Sequence, residues 1–83
     1  MNDAKREAIR AIYVQVGAPD WAAPNLDALA DVLRDLSWLP EGEVAVHVPD
    51  LSALDEDDAA ALQDVLRRAV TESARGPRPI VLR

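Results

Sequence analysis

The sequence predicts a small α/β protein of two layers, a parallel sheet of two strands covered by about three helices. Three observations carry that expectation. A valine-rich strand at residues 44–48 and a short apolar run at 80–82 flank the longest helical segment, residues 54–74. A strand, a long helix and a second strand make one βαβ unit, whose strands run parallel with a right-handed crossover. Two further helical segments precede that unit, and 49% apolar content suffices for one modest core in 83 residues. The chain therefore reads as one domain over residues 1–83.

Residues 3–16 read best as a helix, because Ile9, Ile12, Tyr13 and Val16 share one helical face. Ile12, Val14 and Val16 also alternate as a strand would, so residues 11–16 admit both readings. Gly17 is a fitting helix stop, with Pro19 two residues on. Residues 18–24 form a loop with two prolines and Trp21.

A second helix is expected from about Asn25, a good N-cap, to Ser37. Leu26, Leu29, Ala30, Leu33 and Leu36 form its buried stripe. Asp27, Asp31 and Asp35 step by four along the opposite face, where like charges repel and weaken the helix slightly. Residues 40–43 are a turn, and Pro49 ends the first strand. The valines of that strand share one face and His47 lies on the other. In the long helix Leu62, Val65, Leu66, Ala69 and Val70 make the apolar stripe. Gly76, Pro77 and Pro79 break it before the final strand.

Charge is unevenly placed. Residues 20–58 hold eleven acidic side chains against one arginine, Arg34, a local balance of -10 in a chain whose total is -6. Residues 1–19 sum to +1 and residues 59–83 to +3. A concentrated negative field attracts a basic partner and speeds encounter. It disfavours nucleic acid and anionic membranes. No stretch is long enough to span a bilayer, and no secretory signal is visible. With no cysteine, disulfides and zinc-thiolate sites are excluded, and a reducing cytoplasm is the expected compartment.

Little here suggests an enzyme. Glycine-rich phosphate loops and catalytic triads are absent, and His47 is the only histidine. No cofactor and no metal site is expected. Consecutive acids at residues 55–58 point in different directions on a helix and suit its N-terminal dipole. His47 reads as a partly exposed strand residue. Trp38 reads as core or as a hydrophobic lid. For Trp21 two readings stand level, a side chain packed back on its own domain or an interface anchor. The Asp27–Asp31–Asp35 face is by default a solvated helix surface.

The run Gly17-Ala18-Pro19-Asp20-Trp21, followed by Asn25-Leu26-Asp27-Ala28-Leu29 and Asp31, resembles the barstar family of intracellular ribonuclease inhibitors. The order of the remaining elements, over residues 5–83, is similar as well. The resemblance implies that a loop and an acidic helix plug the active site of a small basic ribonuclease, with carboxylates standing in for RNA phosphates. By motif, Trp21 matches the aromatic loop contact, and Asn25 and Leu26 the helix-start contacts. Asp27 matches an acidic contact, and Asp31 the central acid. Asp35 is added on the same face.

The chain also departs from the family pattern. Ala30 stands where the best-known member has an aromatic residue, and Ala22 and Ala23 replace a second aromatic and a glycine. Arg68 falls on or near the acid that the long helix contributes. Against the family pattern the first strand is expected to be missing, which would leave a two-stranded sheet with an open edge. The expected state is a monomer or a weak homodimer through that edge. Two functions follow: an immunity protein or antitoxin against a basic ribonuclease, and a non-inhibitory interaction module that binds another basic protein.

Overall fold

The computed structural model describes residues 3–83. Three helices, α1 (Asp3–Val16), α2 (Leu26–Asp35) and α3 (Glu56–Ser73), accompany two strands, β1 (Val44–Val46) and β2 (Ile80–Leu82). The strands are parallel, with Val44 opposite Ile80 and Val46 opposite Leu82, and α3 connects them.

Burial decides the reading of residues 11–16. Ala8, Ile9, Ile12, Tyr13 and Val16 are buried while Val14 is 82% exposed. A strand would place Val14 on the same face as Ile12 and Val16; a helix separates them by its 3.6-residue period. The helix ends in a Schellman motif. Ala18 N–H donates to Tyr13 O at 2.9 Å and Gly17 N–H to Val14 O at 3.4 Å, with Gly17 at φ 63°.

Asn25 caps α2, its Oδ1 accepting from Ala28 N–H at 2.8 Å. The helix stops at Asp35, short of the expected Ser37. Leu36 turns left-handed, at φ 44°, which costs a non-glycine residue about 1–2 kcal/mol. The turn tucks its side chain into the core, where it is 2% exposed, and burial of a leucine offsets that strain. The buried stripe of α2 is also shifted from the expected one. Val32 is buried beside Leu29 and Leu33, whereas Leu26 and Ala30 are half-buried.

α3 buries Leu62, Leu66 and Ala69, with Val65 and Val70 packed at the edge of the same cluster. Its principal helix neighbour is α2. The Ser73 hydroxyl accepts from Ile80 N–H at 2.8 Å and so ties the end of α3 to the start of β2. Trp38 follows α2 and is half-buried against the core, its indole N–H donating to Val16 O at 2.9 Å. That bond satisfies a carbonyl in the last turn of α1 and joins the ends of the two helices.

β1 is shorter than the expected 44–48. Val46 is buried, but Val48 is 37% exposed even though its N–H donates to Arg83 O. The intervening His47 peptide faces away from β2. The Gln15 side chain takes both of its groups, accepting from His47 N–H at 2.7 Å and donating to His47 O at 2.8 Å. The outer edge of β1 is therefore partly occupied from within the chain. His47 itself is exposed.

Candidate functional site

The Pro-rich loop between α1 and α2 is held by its backbone. Ala22 N–H donates to Pro19 O at 3.0 Å, and Asn25 N–H to Ala23 O at 2.9 Å. Ala23 O also accepts the Tyr13 hydroxyl at 2.6 Å. The loop is thus fastened to the buried face of α1, while Trp21 projects outward with 75% of its surface exposed. Of the two readings of Trp21, packing back onto the domain is not what the structure shows.

Asp27, Asp31 and Asp35 all lie exposed on α2, Asn25 is exposed ahead of them, and Leu26 is half-buried. The structure does not gather them into one site. Leu26, Asp27 and Asp31 border a groove of about 370 Å³ between α2 and α3. Ala30, Val65 and Ala69 complete its apolar floor, and Arg34, Arg68 and Glu72 its charged rim. Asp35 borders a neighbouring groove of about 410 Å³, beside Ser73, Pro77 and Arg78.

Asp31 does not stand alone. Arg34 Nη1 lies 3.6 Å from Asp31 Oδ1, and Arg34 Nε lies 3.3 Å from Glu72 Oε1. Glu72 thus shares the guanidinium that would otherwise belong to Asp31. Both contacts are solvent-exposed, so each adds little to stability. Arg68 sits one turn before Glu72 with its Nε 3.0 Å from Asp64 Oδ2.

Asp31 also acts on Tyr13. Burial raises the Tyr13 phenol above its ordinary pKa of 10.0, and the nearby Asp31 charge raises it further. A tyrosinate there would be both poorly solvated and repelled.

Three contributors escaped the sequence reading. Glu72 and Arg34 lay within reach of it: residues 68 and 72 share a face of α3 by i,i+4 spacing, and Arg34 follows Asp31 by three. Tyr13 carried no such signal, because its loop contact joins two segments ten residues apart through a turn.

The acids at residues 55–58 do not converge. Asp55 makes no side-chain cap, and Asp58 lies 3.7 Å from Lys5. Among the described residues, no group of three His, Cys, Asp or Glu side chains is arranged to hold a metal ion, and no helix is long and apolar enough to cross a membrane.

The family described as "Barstar (barnase inhibitor)" matches this chain over residues 3–83, the full span that the structure describes. No match arises among curated proteins or among solved structures. A small parallel sheet with three helices, in the order expected from the motif at residues 17–31, is consistent with that family fold. The chain belongs to the barstar family.

Proposed function

We propose that this chain is an immunity protein or antitoxin that blocks a small basic ribonuclease of the barnase type, working in the cytoplasm as one domain. The observation that carries the reading is Trp21. A tryptophan 75% exposed on a fastened loop, directly ahead of an acidic helix, has no role in its own core. Large aromatic side chains presented this way serve as interface anchors.

In this reading Trp21 packs on the rim of the enzyme's active site. Asn25 and Leu26 dock the start of α2. Asp27 and Asp31 enter the site that holds RNA phosphates and neutralise its cations, and Asp35 extends the acidic face. Membership of a family of barnase inhibitors supports this partner class. So does the local charge of -10 over residues 20–58.

The test is RNA cleavage by barnase and related basic ribonucleases as the protein is titrated in. The expected result is loss of cleavage at one equivalent, relieved by excess RNA if the two compete for one site. Tight binding without loss of cleavage would replace inhibition by the interaction-module reading.

A further inference from the structure

The groove between α2 and α3 carries an inference that rests on the inhibitory reading above. Its floor is small and apolar at Ala30 and Ala69, with Asp27, Asp31 and the Arg34 that lies 3.6 Å from Asp31 on the α2 side. The α3 side carries both signs: Glu72, which Arg34 holds at 3.3 Å, and Arg68.

The Arg68 side chain is 72% exposed, and among the described residues it pairs with Asp64 through Nε, on its own helix. A guanidinium has five N–H donors in a planar fork, so the outer edge of this one is open to a second carboxylate. Any body that fills the groove against Asp27 and Asp31 also covers Arg68. Covering a cation without supplying an acceptor is strongly unfavourable.

We infer that the groove is a two-signed specificity pocket. It seats one long cationic side chain of the ribonuclease, with the stem over Ala30 and Ala69 and the head between Asp27 and Asp31. Arg68 meets a carboxylate of the same enzyme. Long cationic side chains lay their methylene stems on apolar surface in this way. A ribonuclease with a uniformly basic face is discriminated against, because Arg68 repels it.

The experiment uses a panel of barnase-type ribonucleases, barnase included. Inhibition by the unaltered protein is measured first. Dissociation constants and melting temperatures follow for Arg68→Gln, Arg68→Glu and Ala30→Leu against each enzyme that is inhibited. Arg68→Glu is expected to weaken binding tenfold or more, with Arg68→Gln intermediate. Ala30→Leu, which fills the groove, is expected to weaken it by a similar factor without lowering the melting temperature. Binding unchanged or tightened by Arg68→Glu overturns the inference, because an added acid would then only be joining an acidic face. Undiminished binding by Ala30→Leu overturns it as well. If the unaltered protein inhibits no enzyme of the panel, the inhibitory reading itself falls, and this inference falls with it.

Discussion

The Tyr13 hydroxyl hydrogen-bonds the Ala23 carbonyl at 2.6 Å, and this bond connects the buried face of α1 to the loop that displays Trp21. The Tyr13 ring belongs to the core and its hydroxyl to the loop. The two contributions separate cleanly by substitution.

Tyr13→Phe keeps the ring in the core and removes only the latch. A net hydrogen bond contributes about 0.5–1.5 kcal/mol. In a domain of this size that corresponds to a fall in melting temperature of several degrees, on the order of 4–8 °C per kcal/mol. If the latch holds Trp21 ready, binding to the ribonuclease weakens too, because the loop must then be ordered on association. Thermal melting and a binding titration of the same variant check both outcomes. An unchanged melting temperature would mean that the loop is held by its own turns alone.

The raised Tyr13 pKa sets a sign for alkaline stability. The folded protein holds the phenol proton more tightly than the unfolded chain does, so this contribution is complete below the ordinary value of 10.0. It is lost as pH rises from there through the folded-state value. Asp31→Asn removes the second cause, so the titration midpoint should move down while burial keeps it above the ordinary value. Tyr13 is the only tyrosine, so tyrosinate absorbance reports this group alone. A midpoint indifferent to Asp31→Asn would mean that the Asp31 charge does not reach the phenol.

Much of this arrangement was legible in the residues, for identifiable reasons. Gly17, Asn25 and the Leu29–Leu33 spacing are local signals, and local signals mark helix ends and faces well. The parallel pairing followed from the strand–helix–strand order. What escaped was tertiary. Leu36 ends α2 early because burial outweighs backbone strain, and nothing in a leucine announces a left-handed turn. The Gln15 bonds to His47 join residues 32 apart, so no local pattern reveals them. The shared groove of Asp27 and Asp31, and the separate setting of Asp35, depend on where α3 lies against α2.

Gln15 supplies a test of the sheet edge. Its amide occupies the outward N–H and C=O of His47, as a neighbouring strand would. Exposed strand edges promote pairing between chains, and an occupied edge resists it. Gln15→Ala should therefore raise self-association at high concentration, seen as a growing dimer fraction in sedimentation. The unaltered protein should stay monomeric at the same concentration. If both behave alike, the side-chain clamp is irrelevant to the edge.

The uneven charge distribution predicts a kinetic signature. With -10 gathered over residues 20–58, association with a basic ribonuclease should slow tenfold or more between low salt and several hundred millimolar. Dissociation should change less, because close contacts are screened weakly. Stopped-flow mixing across a salt series measures both rates. A flat association rate would remove long-range attraction from the account.

Asp31 is expected to be the most sensitive single position for inhibition. It is exposed on α2, with its side chain 77% accessible, and its pairing to Arg34 is long at 3.6 Å. Replacing it by alanine should change stability by about 0.5 kcal/mol or less, since an exposed helical aspartate contributes little to folding and alanine is the better helix former. Binding should suffer far more. A carboxylate desolvated against cations leaves them buried and unpaired when it is removed, a loss of about 3–5 kcal/mol. Loss of Asp31 also releases Arg34, which Glu72 holds from the other side, as one more cation facing a cationic site. Asp27→Ala and Trp21→Ala should come next. Asp57→Ala, at the exposed start of α3 and outside the groove, should be near neutral. Melting temperature and ribonuclease inhibition, measured side by side for the four variants, give the comparison. Equal damage from Asp57→Ala and Asp31→Ala would mean diffuse attraction to an acidic surface, with no defined site on α2.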